Sequence, residues 1–174
     1  AGVITISAEL SGTCLSALIA AEMYEGRVHV VDSRSASIGT QILGRRALEL
    51  APGAKGAAEL ARRLTREREH ICVIALLATL EYLKRGGRIS SAVAFAGGVL
   101  AIKPVISIQD GAVQLVGRAR GSKNGNNLLS EFIKKRGGVD FSLPHTLGYT
   151  GLSDALLQKY VHDSAPLWTE HAES

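Results

Sequence analysis

The feature that most constrains this chain is an apolar strand running into a hydroxyl-rich turn and then a helix. Val3–Ser7 is β-branched and apolar, and Ile6–Thr13 reads Ile-Ser-Ala-Glu-Leu-Ser-Gly-Thr. Thr13–Tyr24 is helix-compatible, with Leu15, Leu18, Ile19 and Met23 on one face. Such a turn gathers backbone N–H groups with the hydroxyls of Ser7, Ser11 and Thr13 at the positive end of a helix, where an anion can be held. A parallel-sheet protein seldom opens at its binding turn, so a preceding segment is expected.

Strand and helix patterns then alternate. Arg27–Val31 reads as a short buried strand ending at Asp32-Ser33, and Ser37 can cap a helix through about Leu50, closed by Pro52-Gly53. Ala57–Glu69 is a helix of Ala, Arg, Glu and Leu, and His70–Leu77 has the β-branched, apolar texture of a central parallel strand. After Leu77 the texture changes. Thr79 caps a short helix, Leu80–Arg85, that ends at Gly86-Gly87, where Arg88 can satisfy the last carbonyls. Another helix is expected from Ser90 to about Leu100. Pro104–Gln109 and Ala112–Arg118 flank Asp110-Gly111, a two-residue hairpin signal. A helix over Ser122–Lys135, a strand over Thr146–Thr150 and a helix over Ser153–His162 complete the pattern. The fold class is α/β: a parallel, doubly wound lobe over 1–77, then a mixed α/β lobe over 78–174.

Composition excludes several classes. Hydrophobic content of 46% suffices for a core, yet no apolar run reaches the ~18–20 residues that span a bilayer. Cys14 and Cys72 have no CxxC partner, so they read as reduced residues of a cytoplasmic protein, with neither a disulfide framework nor a zinc site. The net charge of +4 invites a nucleic-acid reading. Against it, Arg62, Arg63, Arg66 and Arg68 alternate with Glu59, Glu67 and Glu69, as on a solvated helix face, and no basic run carries interleaved aromatics for base stacking.

Catalytic constellations are missing as well. His29 lies in an apolar strand, His70 and His145 lack a spaced metal partner, and His162 and His171 sit near the end. No GxSxG, Walker or GxGxxG pattern occurs, and Ser11 has no evident histidine to activate it.

Five stretches together carry a resemblance. Ile6–Thr13 (ISAELSGT), Val31–Gly39 (VDSRSASIG), Leu80–Ser90 (LEYLKRGGRIS), Leu100–Gly111 (LAIKPVISIQDG) and Gly117–Lys123 (GRARGSK) occur in the order seen in DegV proteins. The chain resembles this family over most of Ile4–Lys123. The resemblance implies a bacterial fatty-acid-binding protein that presents its ligand to a fatty-acid kinase subunit, rather than an enzyme. It implies no cofactor, no nucleic-acid partner and no stable membrane insertion. It also implies longer complete members, which open on an Asp-Ser-Thr-type strand end and close with a glycine-rich segment bearing a histidine. Cys14 stands where the family often carries an aromatic.

Carried over by the resemblance, Ser11 would hydrogen-bond the fatty-acid carboxylate, with Gly12 and Thr13 shaping the turn and Arg120 lying near the site; Ser7 is a further ligand candidate through its own hydroxyl in the turn. A carboxylate wants charge-assisted donors, and this turn offers them; the same residues also suit an ordinary N-cap. Asp32-Ser33 is equally readable as a ligand position or as a residue pair fixing the next turn. Lys103 and Lys123 read as architectural and solvent-facing. An acyl slot is expected around Phe95, Leu100, Ile102 and Ile106, with Ala92, Val93, Ala96, Val99, Val105 and Ile108 as further lining or plain core. A tail of ~16 carbons at ~0.8 kcal/mol per buried CH₂ would gain on the order of 10 kcal/mol before costs. The alternatives are an α/β enzyme holding a phosphorylated metabolite at Leu10–Thr13 and a basic nucleic-acid-binding module.

Overall fold

The computed structural model describes residues 1–89 and 102–169. In chain order the elements are β1 (Gly2–Thr5), α1 (Thr13–Glu22), β2 (His29–Asp32), α2 (Ile38–Leu50), α3 (Ala57–Glu67), β3 (Val73–Leu76), α4 (Glu81–Arg85), β4 (Ile102–Gln109), β5 (Ala112–Arg120), α5 (Gly121–Lys135), α6 (Ala155–Asp163) and α7 (Ala165–Thr169). The fold is α/β, with a parallel β1-β2 sheet and a three-stranded sheet of order β3-β4-β5. The chain divides into two compact units: Ala1–Val73 with Ile108–Val113, and Ile74–Ser107 with Gln114–Ser174. The tip of the β4-β5 hairpin therefore groups with the first unit.

In the first unit, Val31 of β2, Leu43 of α2 and Leu64 of α3 form the buried core, against which Ile4, Ala47, Leu50, Leu60, Ala61 and Ile71 pack. The β-branched strand residues and the i, i+3, i+4 spacing of the helices put these side chains on facing surfaces. Helix α1 turns its small residues inward. Its large apolar residues Leu15, Leu18, Ile19 and Met23 do share a face, but that face is exposed, Met23 by 80%. Cys14, Ala17 and Ala21, spaced three and four apart, are the more buried positions. Small side chains let the helix lie close to the strands; periodicity fixes a face without saying which face turns inward.

The second unit centres on Val105, Leu129 and Tyr160, with Ile74, Leu76, Val116 and Leu128 packed around them. A Cβ at Gly125 would lie 2.5 Å from Leu76 Cδ1, so a side chain here would force the Leu76 side chain to shift. At the hairpin, Asp110 (φ 51°) and Gly111 (φ 83°) both adopt positive φ, as a two-residue I′ turn requires.

Several expectations are corrected. His70–Leu77 contributes only Val73–Leu76 as a strand, and it joins β4 and β5 rather than the parallel sheet; the Leu77 amide donates to the Pro104 carbonyl at 2.9 Å. Helix α2 spans the expected residues, but the Ser37 side chain does not cap it. Ser37 has φ 52°, outside the extended region from which a hydroxyl reaches the first turn. Residues 146–150 form no strand, because no neighbouring strand among the described residues pairs with them. The helix expected over 90–100, and with it Phe95 and Leu100, lies outside the described residues. No described helix is long and apolar enough to cross a membrane.

Candidate functional site

β1 delivers the chain to the turn, and a layer of small polar side chains beneath fixes the turn's shape. The Ser7 amide donates to the Ser35 carbonyl at 2.8 Å, and the Leu10 and Ser11 amides both reach the Ser7 carbonyl at 3.1 Å. Ser33 Oγ lies 3.0 Å from Thr40 Oγ1 and donates to the Ser35 carbonyl at 3.1 Å. Side chains this short compete well for main-chain partners, and so they favour turns over continued strand.

Asp32 has a defined place in this frame. Its Oδ1 accepts from the Arg34 amide at 2.8 Å and from the Ala8 amide at 3.3 Å. It therefore fixes its own following turn and also anchors Ala8–Leu10, the leading limb of the candidate site. The Arg34 φ of 48° is the bend that the first of these bonds stabilises.

At the head of α1, Ser11 Oγ and Thr13 Oγ1 stand 2.8 Å apart, and the Thr13 amide donates to Ser11 Oγ at 3.2 Å. Two hydroxyls sharing one contact use one proton between them and leave the other to an incoming acceptor. The N-cap position is Gly12, which has no side chain to close the helix end. The Cys14 and Leu15 amides have no intrahelical acceptor at this terminus, as in any first turn. Ser11 is half-buried, while Gly12 and Thr13 are exposed. An approaching anion meets one hydroxyl proton, orphan amides and the positive end of the helix.

The structure thus brings Ser11, Gly12 and Thr13 together and corrects the role of Ser7. Ser7 is fully buried; its Oγ donates to the Gly111 carbonyl at 2.7 Å and accepts from the Glu9 amide at 3.2 Å. It braces the turn from below and has no proton left for a ligand. Arg120 belongs to the other unit, where it is the exposed last residue of β5 immediately before α5. Ile102 and Ile106 share one face of β4, opposite Val105, and both are half-buried. Arg88 takes the structural role: its Nη1 donates to the Gly86 carbonyl, just beyond α4. Among the described residues, no group of three or more His, Cys, Asp or Glu side chains could hold a metal ion.

The hydroxyls and amides at this helix N-terminus make a candidate anion cradle on an α/β lobe. The family described as "Uncharacterised protein, DegV family" matches residues 3–160, and the chain belongs to the DegV family. A DegV domain-containing protein of Deinococcus radiodurans is 34% identical over 147 residues, which cover 82% of this chain and 52% of that protein. Among solved structures, a fatty-acid-binding DegV family protein from Thermus thermophilus is 39% identical with a TM-score of 0.67, over 77% of this chain and 49% of that one. The Streptococcus pneumoniae Fatty Acid Kinase (Fak) B3 protein loaded with linoleic acid is 27% identical with a TM-score of 0.70, over 79% of this chain and 51% of that one. The chain spans about half the length of these relatives.

Proposed function

We propose that this chain is the carboxylate-holding part of a fatty-acid carrier, with no covalent chemistry of its own. The observation that supports this most directly is the Ser11–Thr13 hydroxyl pair, 2.8 Å apart at the open N-terminus of α1. A fatty-acid carboxylate takes the unclaimed hydroxyl proton and the first-turn amides as charge-assisted hydrogen bonds, with Gly12 leaving room for close approach. Buried Ser7 and the Asp32 carboxylate hold the turn in shape. An apolar slot takes up the tail.

The exposure of Gly12 and Thr13 leaves the carboxylate open to a second protein. In this reading a partner kinase phosphorylates the bound carboxylate, and the acyl phosphate enters phospholipid synthesis. Burial of the tail presents the head group in water as a defined substrate, which a free fatty acid in a membrane does not offer. The likeness to a fatty-acid-loaded protein of a fatty-acid kinase supports this role.

Native and denaturing mass spectrometry of the purified protein, with organic extraction of its ligand, tests the reading. One fatty acid per chain is expected. A protein that exchanges inorganic phosphate or nucleotide at the turn and takes up no fatty acid would overturn it.

A further inference from the structure

Among the described residues, the second strand of the first unit is paired along one side only. β1 and β2 pair in parallel, with Val3 opposite Val30 and Ile4 opposite Val31. The His29 amide donates to the Ala1 carbonyl at 2.9 Å and the Ser33 amide to the Thr5 carbonyl at 3.1 Å. Main-chain groups alternate sides along a strand, so His29, Val31 and Ser33 turn theirs toward β1, while Val28, Val30 and Asp32 turn theirs away. The Asp32 carbonyl accepts from Arg68 Nη1 at 2.7 Å, as when a side chain blunts a sheet edge. Among the described residues no strand pairs with Val28 or Val30.

Beside that edge runs a groove of about 600 Å³, with Val28, His29 and Val30 along one wall and Ala61, Arg62 and Arg66 of α3 along the other. Arg62 and Arg66 are exposed, one helical turn apart, and both line the groove. Neither forms an ion pair among the described residues, whereas Arg63 pairs with Glu59, and Arg46 with Glu49 and Glu67.

The geometry points to a docking site for an extended acidic segment of a partner protein. The segment adds as a strand to β2 through Val28 and Val30 and sets two carboxylates against Arg62 and Arg66. Spacing and charge both select this occupant. Alternate residues of a strand lie ~6.6 Å apart on one face, and residues four apart on a helix rise ~6 Å, so carboxylates at i and i+2 meet the two arginines in register. Strand addition supplies the main-chain hydrogen bonds, and the alternate side chains supply the selection. A second copy of this chain on the same edge would bring another basic α3 against the first. The site lies within the first unit and is independent of the fatty-acid reading.

The test uses two labelled peptides, one alternating Val and Glu and one alternating Val and Lys, titrated into the ¹⁵N-labelled chain. The Val/Glu peptide is expected to shift the Val28 and Val30 amide resonances and to bind at least tenfold tighter than the Val/Lys peptide. The Arg62→Glu/Arg66→Glu variant is expected to reverse that preference, a gain that simple misfolding cannot produce. Equal affinity for both peptides, an unchanged preference in the variant, or shifts only outside Val28–Val30 would overturn the proposal. Concentration-dependent shifts at Val28 and Val30 without peptide would overturn it too, in favour of a second copy.

Discussion

Ser7 Oγ donates a 2.7 Å hydrogen bond to the carbonyl of Gly111, 104 residues away, so the turn after β1 is braced by the tip of the β4-β5 hairpin. The contact is tight as well as long-range: a Cβ at Gly111 would lie 2.5 Å from Ser7 Oγ, at a φ of 83° that side chains resist. The shape of the candidate binding turn therefore depends on a hairpin distant in sequence.

Gly111→Ala is expected to destabilise the protein by more than ~1 kcal/mol, because clash and backbone strain add. Ser7→Ala strands a buried carbonyl and the Glu9 amide, and is expected to cost about 1–3 kcal/mol. Urea unfolding measures both. If Gly111→Ala left the midpoint unchanged, the brace would be absent in solution.

Leu43 is the most completely buried large side chain of the first unit, packed with Val31 and Leu64. Leu43→Ala is expected to cost about 2–5 kcal/mol through lost burial and a residual cavity. The same unfolding experiment reads it. A cost below ~1 kcal/mol would mean that α2 does not close this core.

Asp163 of α6 is held below the usual carboxylate range, chiefly by the hydrogen bond from Asn126 Nδ2 at 2.7 Å and then by Lys159. A depressed folded-state value gives stability that is fully present above the ordinary carboxylate pKa and is lost as pH falls through the folded-state value. Asn126→Ala is therefore expected to lower stability at pH 7 and to flatten its decline toward acid. Denaturant midpoints at neutral and acid pH measure this; an equally steep decline in the variant would remove Asn126 from the account.

Where the sequence signal was local, it located the structure well. Asp110-Gly111 marked a turn that uses positive φ at both residues, and Leu-Ser-Gly-Thr marked the open helix end with Ser11 and Thr13 in contact. What depends on tertiary pairing was not legible. The texture of His70–Leu77 fits any buried strand, and only its pairing with β4 assigns β3 to the second sheet. Nothing near Ser7 announces Gly111, so its hydroxyl read as a ligand donor when it is a brace. The exposed face of α1 was hidden because Leu15, Leu18 and Ile19 carry the stronger apolar signal, while Cys14, Ala17 and Ala21 are small enough to pack inward.

Calorimetric titration with oleate and with methyl oleate, into the unaltered chain and into Ser11→Ala and Thr13→Val, tests the central claim most directly. Hydrogen bonds to a charged group contribute about 1.5–3 kcal/mol, so each substitution is expected to weaken oleate by roughly tenfold or more. Methyl oleate, which carries no charge, is expected to bind weakly and to be indifferent to both. Equal oleate affinity in all three proteins would place the carboxylate elsewhere and contradict the assignment of this turn.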